Sequence, residues 1–287
     1  MNPFTARIEC WEDTLYMSQL LEKSIPASIS VKVRYDPDFT YEKQCDHSYI
    51  YFVNKDSIDC CLEHAPKALV VNLADDNFAG GCVAQGSGAQ EESLFRRTNY
   101  VSSLKQELYP ILADEAIYSP DVLVLKTNES SGWELLNPGH THGKIEEWSH
   151  GLPRIAFIAC PGIKYPETLS MPLTDASGNE TEAMGERLQE ADVDILKKKI
   201  KTILQTAIRQ GHDSVILGAM GCGAWRNPID HVAEIFKSVL REWDGCLSHI
   251  YFAILHTTDD NYIVRRFNSE KKKTIDIFKQ VFFDATR

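Results

Sequence analysis

Short runs of apolar residues alternate along this chain with longer segments in which apolar positions recur every three or four residues. The short runs are typical of buried strands, and the periodic segments are typical of amphipathic helices. Strands are predicted over residues 31–35, 48–53, 68–72, 121–126, 154–160, 214–218 and 250–255. Helices are predicted over residues 5–24, 91–108 and 195–210, with a further helix opened by Asn227 as N-cap and Pro228 at its first position. This alternation predicts a mixed or parallel sheet covered on both faces.

Two polar segments between these elements are rich in turn-forming residues, and they are predicted to run over the surface. They are residues 128–151 and 167–181. The first holds a histidine cluster made of His140, His142 and His150. Because this cluster lies among Gly and Pro, and the sequence has no CxxC or HExxH, a solvated loop is favoured over a metal site. We therefore expect no metal and no cofactor.

The charge balance excludes several classes of partner. Lys and Arg number 30 against 41 Asp and Glu, a net charge of −11, which argues against generic binding to DNA or to an anionic membrane. The longest apolar runs fall far short of the roughly 20 residues of a membrane span, and the N-terminus does not resemble a signal peptide. Eight dispersed cysteines indicate reduced thiols. We expect a cytoplasmic protein, or a nuclear one in a eukaryote.

A glycine-rich loop between a predicted strand and a predicted helix carries the first candidate chemistry. Gly80 and Gly81 permit positive φ angles and a close approach of the backbone to a ligand. Glu91 and Glu92 follow, and if both enter one pocket, repulsion and desolvation favour the protonated form of one. A protonated carboxyl group is what cleavage of a glycosidic bond requires. Periodicity alone favours a plainer alternative, in which both acids decorate a helix N-terminus.

The second candidate is the loop at residues 217–228, which also follows a predicted strand. It reads Leu-Gly-Ala-Met-Gly-Cys-Gly-Ala-Trp-Arg-Asn-Pro, a geometry suited to a diphosphate lying along backbone amides. It lacks the Lys-Ser/Thr ending of a Walker loop and the GxGxxG spacing of dinucleotide sites. Trp225 is as readily a core aromatic as a ligand contact. Both loops are predicted to lie at the carboxyl ends of strands, where α/β sheets bind ligands.

Together the two segments resemble the microbial poly(ADP-ribose) glycohydrolase family, a branch of the macrodomain fold. Gly80-Gly81-Cys82 is followed by seven residues and then Gln90-Glu91-Glu92, and the second segment is similar to the family's diphosphate loop. The resemblance implies an α/β fold of three α/β/α layers with a mixed central sheet and added N- and C-terminal helices. It implies a hydrolase that cleaves at C1″ of the distal ribose and releases ADP-ribose from poly(ADP-ribose) or from ADP-ribosylated protein. We expect a monomer.

The resemblance also implies a role for each matched residue. Glu92 would protonate the departing group and then activate or orient water, and Glu91 would hold the distal ribose hydroxyls. Trp225 would stack near that ribose. The other positions with implied ligand contacts are Asn72, Asn77, Gly80, Gly81, Val83, Gln90, Met220, Gly221, Cys222, Gly223 and Ala224.

Three departures from the family pattern leave the substrate open. Cys82 replaces a third glycine where the backbone passes close to ligand, which keeps open a reader that binds ADP-ribose without cleaving it. Asp75 and Asp76 fit a mono-ADP-ribosyl hydrolase that recognises the guanidinium of a modified arginine, and fit an ordinary Asx turn equally well. Pro161-Gly162 stands where a Pro-Asn-like turn is expected.

No repeat, low-complexity tract or Pro/Ser linker divides the chain. A length of 287 residues fits either one enlarged α/β domain or just under two domains of about 150 residues. We expect one domain, with an N-terminal helical extension at residues 1–47, a macrodomain core at 48–255 and a C-terminal segment at 256–287.

Overall fold

A computed structural model describes residues 2–137, 145–174, 180–256 and 273–283 of the chain. The chain forms two compact units, one made of Met1–Arg34 and Ile58–Pro161 and the other of Tyr35–Ser57 and Gly162–Arg287. The helices are α1 (Pro3–Glu22), α2 (Ser57–His64), α3 (Gln90–Arg97), α4 (Tyr100–Ser103), α5 (Ile145–His150), α6 (Glu190–Arg209), α7 (Ile229–Glu242) and α8 (Thr274–Phe283). The strands are β1 (Val31–Arg34), β2 (Tyr49–Val53), β3 (Leu69–Asn72), β4 (Glu115–Leu123), β5 (Arg154–Ala159), β6 (Thr168–Thr174), β7 (Glu180–Leu188), β8 (Ser214–Leu217) and β9 (His249–Ala253).

The first unit contains a mixed arrangement of four strands in the order β1-β4-β5-β3. β4 pairs antiparallel with both β1 and β5, whereas β3 and β5 are parallel. Every residue of β3 is buried, as its continuous apolar run predicts. The glycine-rich loop therefore begins at the end of a fully buried strand, which fixes its starting point.

The second unit contains three parallel strands in the order β8-β9-β2. α7 and α8 cover one face through aromatic contacts, in which the Phe252 ring lies 5.3 Å from that of Phe236 and 5.4 Å from that of Phe278. The helix predicted to follow Asn227 and Pro228 is confirmed as α7, and its Val232 and Phe236 are fully buried. β6 and β7 form a separate antiparallel pair.

Most predicted elements are confirmed to within a few residues, among them α1, β1, β2, β3, β5, β8 and β9. α6 begins five residues before its predicted start, at Glu190. The surface position predicted for residues 167–181 is confirmed for Thr168–Met171, which are exposed, but the segment is not only turns, because β6 and β7 pair antiparallel there. The polar segment 128–151 includes α5, whose Trp148 is buried against Leu21 and Leu152. The division into one domain stays a prediction.

The strand predicted at 121–126 lies earlier in the chain. β4 begins at Glu115, and its pairing with β5 is irregular between Ser119 and Val122. Pro120 and Asp121 have the sequence of a turn, yet they occupy this irregularity, where Asp121 adopts a φ of +60°. A charged residue at the first position of β4 is not expected in a buried strand, so the sequence did not predict this start. The carboxylate of Glu115 is accommodated there because Lys32 and Arg34 of β1 neutralise it.

The helix predicted over 91–108 is broken into α3, α4 and a 3-10 turn at Gln106–Leu108. Thr98 interrupts it with an extended backbone at φ −137°. The Thr98 hydroxyl donates to the Leu94 carbonyl at 2.7 Å and accepts from the Tyr100 N–H at 3.2 Å. These side-chain hydrogen bonds of Thr98 replace backbone hydrogen bonds that a continuous helix would make, so the helix is interrupted here.

An ion-pair cluster fastens β1 to β4. The buried carboxylate of Glu115 accepts from Arg34 at 2.6 Å and from Lys32 at 2.9 Å. Burial tends to raise the pKa of Glu115, but the hydrogen bonds from Arg34 and Lys32 outweigh burial and lower that pKa to about 2. The carboxyl group therefore stays ionised in the folded protein when it would be protonated in the unfolded chain.

This shift predicts acid-dependent stability. Because the folded pKa lies below the unfolded value, the contribution is present above about pH 4.5 and is lost as the pH falls towards 2. We expect Glu115→Gln to lower the free energy of unfolding at pH 7 by about 1–2 kcal/mol, a figure reduced for the exposure of both cations. Between pH 5 and 2 the variant should lose less stability than the wild type, as measured by urea unfolding. The exposed Glu107→Gln should follow the wild type, and equal pH profiles for wild type and Glu115→Gln would contradict the assignment.

Candidate active site

The start of α3 is fixed to the end of β3 by the side chain of Gln90. Its Nε2 donates to the Val71 carbonyl at 2.8 Å, and its Oε1 accepts from the Leu73 N–H at 2.9 Å. An amide side chain both donates and accepts, so Gln90 makes the pair of hydrogen bonds with Val71 and Leu73 that the backbone of a neighbouring strand would otherwise make. The two acidic residues that follow Gln90 are thereby placed directly beside the end of the strand.

Glu91 is 3% exposed and holds the loop that precedes it. Its Oε2 accepts from the Asp75 N–H at 2.7 Å, and its Oε1 accepts from Gly80 N–H and Asn72 Nδ2, each at 3.2 Å. Burial raises the pKa of Glu91 to about 8, although these three donors favour the ionised form. One of the two predicted acids is thus a protonated or readily protonated group near neutral pH.

Glu92 is 6% exposed and is only half satisfied. Its Oε1 accepts from the Cys82 N–H at 3.0 Å. Its Oε2 is buried and has no hydrogen-bond partner in the described part of the chain. Since buried carboxylate oxygens normally have a partner, this oxygen is available to a substrate atom.

Gly81 lies between the two carboxyl groups. A Cβ at this position would lie 2.7 Å from Glu92 Oε1 and 3.1 Å from Glu91 Oε2. The residue also has a φ of +54°, and the preceding Gly80 has a φ of +82° with the Phe95 ring 2.8 Å from its would-be Cβ. The glycine pair is therefore required by backbone angle and by space, as the sequence predicts for this loop.

Cys82 occupies the place of the third glycine without strain. Its φ is −102°, a value open to any residue, and its side chain is exposed. Val83, the next residue, is buried. The departure from the family pattern at Cys82 therefore leaves the carboxylate geometry intact.

The tandem aspartates form a turn. Asp75 Oδ1 accepts from the N–H groups of Asn77 and Phe78 at 2.8 and 3.0 Å, and Asp76 Oδ1 accepts from Asn77 Nδ2 at 2.7 Å. This is the Asx-turn geometry that the sequence left open as an alternative. The Asp75 N–H also donates to Glu91, so the turn is part of the frame that holds that carboxyl group.

Arg96 was not identified from the sequence, although it lies one helical turn after Glu92. It is fully buried, and its Nη1 donates to the Ser87 carbonyl at 2.7 Å. Its own carbonyl accepts from Thr14 of α1 at 2.5 Å, which secures α3 to the N-terminal helix. The i, i+4 spacing of an acid and an arginine is the signal that indicates it.

Two tyrosines behind the loop were also missed. Tyr100 is fully buried, and burial raises its pKa. Burial likewise raises the pKa of Tyr109, and the negative charge of Glu91 adds to that rise. Both are neutral hydroxyl groups near Glu91, and nothing in the apolar spacing of the sequence distinguishes them from core aromatics.

The second predicted loop lies in the second unit and is organised by Asn227. The Asn227 Nδ2 donates to the carbonyl oxygens of Ile163 at 2.6 Å, Gly221 at 3.1 Å and Trp225 at 3.3 Å. The prediction that Asn227 caps the helix is wrong, because α7 begins at Ile229 and Pro228 precedes it. The amide is used to close the loop instead.

Within this loop, the position of Gly221 has no room for a side chain, whereas the position of Gly223 has room for one. A Cβ on Gly221, which has a φ of +71°, would lie 2.6 Å from Asn227 Nδ2, whereas a Cβ on Gly223 would meet nothing within 4 Å. Met220 is buried, Cys222 and Trp225 are half-buried, and Ala224 is exposed. Lys164 Nζ lies 5.5 Å from the centre of the Trp225 ring, so the tryptophan borders the surface.

The histidine cluster carries no site that the structure describes. His140 and His142 lie outside the described residues, and His150 ends α5. Among the residues that are described, no group of three or more His, Cys, Asp or Glu side chains is arranged to hold a metal ion. The expectation of a metal-independent protein stays a prediction.

The raised pKa of Glu91 predicts a loss of stability with rising pH. Because the folded pKa of about 8 lies above the unfolded value, the contribution is complete below about pH 4.5 and disappears as the pH rises through 8. We expect the unfolding free energy of the wild type to fall relative to Glu91→Gln between pH 5 and 8, by at most about 1.4 kcal/mol per pH unit. Urea titrations at four pH values measure this, with Glu190→Gln as an exposed control. Parallel curves for wild type and Glu91→Gln would refute the shift.

Comparison with known proteins supports the resemblance found in the sequence. Residues 17–127 match the family model described as "Microbial-type PARG, catalytic domain". None of the curated proteins matches the chain.

Solved structures resemble the whole chain. A poly(ADP-ribose) glycohydrolase from Thermomonospora curvata aligns with a TM-score of 0.69 at 19% identity, over 97% of this chain and 100% of that one. The same enzyme bound to the inhibitor ADP-HPD gives 0.68 at 18% identity, over 96% and 99%. The Deinococcus radiodurans glycohydrolase in complex with ADP-ribose gives 0.58 at 18%, over 96% and 93%. The predicted macrodomain-like α/β fold is thereby confirmed. The matched residues 17–127 contain Gly80-Gly81-Cys82 and Gln90-Glu91-Glu92, the two motifs on which the sequence resemblance to this family rests.

Proposed function

We propose that this protein is an ADP-ribosyl glycohydrolase that releases ADP-ribose from poly(ADP-ribose) or from ADP-ribosylated protein. The observation that carries the proposal is the buried carboxyl group of Glu92, which has one oxygen bound to the Cys82 N–H and the other unpartnered within the described residues. The glycohydrolases that share this fold support the same conclusion. A buried carboxyl group that is held in one orientation by one oxygen, with the other oxygen unpartnered within the described residues, is suited to act as a general acid.

Glu92 performs the proton transfers of the reaction. Its carboxyl group donates a proton to the departing atom as the bond from C1″ of the distal ribose breaks. Water then adds to C1″ and gives a proton to the Glu92 carboxylate, which restores the acid. The bond from Cys82 N–H keeps one Glu92 oxygen fixed, so the other oxygen performs both transfers.

Glu91 orients the loop and the substrate. Its oxygens accept from Asp75, Gly80 and Asn72, so its removal displaces the backbone on both sides of the glycine pair. When substrate hydroxyls enter, the same carboxyl group accepts from them, which is the ribose contact implied by the family resemblance. Gln90 and Asn77 help to hold this loop in place through their own hydrogen bonds.

The backbone amides of the two loops differ in whether they already have a hydrogen-bond partner. The N–H groups of Gly80, Gly81, Cys82 and Val83 already donate to Glu91 Oε1, Phe78 O, Glu92 Oε1 and Gly80 O. The amides of the first loop are therefore occupied in holding the carboxyl groups. The N–H groups of Gly223, Ala224 and Trp225 have no hydrogen-bond partner in the part of the chain that is described. We assign the phosphate contacts to these three amides, since each hydrogen bond to a charged phosphate contributes about 1.5–3 kcal/mol.

Nothing in the geometry favours arginine-linked substrates over the others. Asp75 Oδ1 and Asp76 Oδ1 are engaged in the turn at 75–78. The exposed, unstrained Cys82 gives no reason for a reader that lacks activity. A panel of polymeric, serine-linked and arginine-linked substrates separates the three cases. Activity on arginine linkages alone, lost in Asp75→Ala or Asp76→Ala, would replace the proposal, as would ADP-ribose binding without turnover on any linkage.

We also propose a metal-independent monomer of a reducing compartment. All eight cysteines are free thiols, which supports such a compartment. In the described residues no helix is long and apolar enough to cross a membrane. Activity that EDTA abolishes and Zn²⁺ or Mg²⁺ restores would overturn the metal-independent assignment.

The acid role of Glu92 predicts a separation of binding from catalysis. Glu92→Gln keeps an oxygen for the Cys82 N–H but has no proton to donate at a carboxyl group. We expect the rate of ADP-ribose release from auto-modified substrate to fall by about 10²–10⁴-fold. The affinity for ADP-ribose, measured by calorimetry, should change less than threefold. Wild-type activity in this variant would exclude Glu92 as the acid.

The assignment of the phosphate to the amides of the second loop predicts that shape matters more than charge. A Cβ on Gly223 would meet no atom within 4 Å, and its φ lies outside the left-handed region, so the fold should tolerate Gly223→Val. It should nevertheless reduce ADP-ribose affinity at least tenfold, because branched methyl groups block approach to the amides. Arg226→Ala, which removes a nearby charge, should reduce it less. The reverse order would show that side-chain charge binds the phosphate.

A further inference from the structure

Arg96 of α3 is a fully buried arginine, two of whose side-chain nitrogens have no hydrogen-bond partner. Its exposed fraction is 0%, and its Nη1 donates to the Ser87 carbonyl at 2.7 Å. Its Nε and Nη2 are buried and have no partner among the described residues. An arginine keeps its charge even when buried, and buried charges are normally paired. A neutral donor would bind Ser87 as well, so this hydrogen bond does not account for the charge of Arg96.

The charged groups around Arg96 point to Glu92 as its counter-charge. Burial lowers the pKa of Arg96, and the negative charges of Glu129 and Glu92 oppose that effect. Glu129 already pairs with Arg7 of α1 at 2.9 Å, and the charge of Arg7 acts on Arg96 in the opposite direction. The Cys10 thiol donates to the Arg96 carbonyl, and burial raises the pKa of that thiol, so it stays neutral. Glu92 is left as the carboxyl group that balances Arg96.

Arg96 and Glu92 lie on the same face of α3, one helical turn apart. Residues at positions i and i+4 of a helix are neighbours, and a long side chain leans towards the helix N-terminus. The hydrogen bond from Arg96 Nη1 to Ser87 O shows this direction, because Ser87 precedes the first residue of the helix. The guanidinium group is thereby held beside the turn of α3 that carries Glu92.

A chain of hydrogen bonds also connects the two side chains through the loop. Glu92 Oε1 accepts from the Cys82 N–H at 3.0 Å. The Cys82 carbonyl accepts from the Ser87 N–H at 3.3 Å, and the Ser87 carbonyl accepts from Arg96. α3 therefore holds both ends of the segment 82–87, with the acid at one end and the cation at the other.

We propose that Arg96 is a positioning residue whose buried positive charge stabilises the carboxylate that forms on Glu92 when its proton leaves. The inference rests on the proposed glycohydrolase function. As the bond at C1″ breaks, the proton moves from Glu92 to the departing atom, and the negative charge stays on Glu92. A cation that is fixed in place beforehand, away from water, lowers the free energy of that charge. Arg96 is wholly buried, so it acts through Glu92 rather than on the substrate.

Three variants of Arg96 separate its charge from its hydrogen bond. Arg96→Lys keeps the charge and a donor for Ser87 O, Arg96→Gln keeps a donor without the charge, and Arg96→Met keeps neither. Arg97→Gln is the matched control, because Arg97 is a buried arginine of the same helix that pairs with Asp59 at 2.6 Å. The pH dependence of kcat on auto-modified substrate and the affinity for ADP-ribose are measured for each, with melting temperatures as a check of folding.

We expect Arg96→Gln and Arg96→Met to lower the optimal kcat by about threefold to tenfold, because the carboxylate that forms lacks its counter-charge. Without the cation, Glu92 also keeps its proton to a higher pH, so the alkaline limb of the kcat profile should move up by about one pH unit. The affinity for ADP-ribose should change by less than about twofold, as for an interaction made only in the transition state. Arg96→Lys and Arg97→Gln should keep the wild-type limb.

A measurement that needs no turnover tests the coupling of the two charges separately. The carboxyl carbon of Glu92 is followed by NMR in protein that carries ¹³C-labelled glutamate, and its signal is identified by its absence from Glu92→Gln. Glu91 faces Glu92 across Gly81, and burial raises the pKa of Glu91 to about 8, so its signal is followed alongside. The midpoint pH of the Glu92 signal should rise by about one unit in Arg96→Gln and stay unchanged in Arg97→Gln.

Several outcomes overturn the inference and are distinguishable from one another. A loss of kcat that is equal at every pH, with the limb unmoved, would show that Arg96 only holds the loop. Arg96→Lys as impaired as Arg96→Met would show that charge is not what matters. An active wild type whose Glu92 signal does not move in Arg96→Gln overturns the inference alone. If the wild type cleaves no linkage, the proposed function fails, and the catalytic role of Arg96 fails with it.

Discussion

The candidate site depends on the hydrogen bonds that the buried carboxyl group of Glu91 accepts. This group accepts from Asn72 at the end of β3, from the turn at Asp75 and from Gly80, so three points along residues 72–80 are fixed to one side chain. Because water is excluded, each bond is stronger than at the surface, and the cost of leaving one unmade is higher. The glycine pair follows from it, since only a chain without Cβ passes between Glu91 and Glu92.

The arrangement of Glu91 explains why adjacent acids serve different purposes. Glu91 has its hydrogen-bonding capacity directed at the loop, whereas Glu92 has one oxygen fixed and the other unpartnered within the described residues. Environment rather than residue type separates the framework carboxyl group of Glu91 from that of Glu92, which we propose to be the reacting one. Arg96, buried one turn further along α3, ties the far end of the loop to the same helix through Ser87.

The loop of the second unit uses the opposite arrangement. Its backbone amides at Gly223, Ala224 and Trp225 are directed to no partner among the described residues, and a single side-chain amide, Asn227, holds the loop shape from beneath. The proposed phosphate contacts therefore need no buried cation, since N–H dipoles fixed in place require no counter-charge. One loop positions acids, and the other presents donors.

The sequence by itself determined the α/β alternation, the buried strands and the two glycine loops, and the Gly80-Gly81-Cys82 and Gln90-Glu91-Glu92 pattern predicted the match to the microbial-type PARG family model. These are properties of local periodicity and of short motifs, which need no knowledge of distant contacts. Tertiary structure decided the rest. The start of β4 depends on Glu115 being neutralised by Lys32 and Arg34, and Asn227 closes a loop because carbonyl groups from another segment lie near it. Whether a polar residue caps, pairs or is buried depends on partners that are far away in sequence, and spacing along the chain does not reveal them.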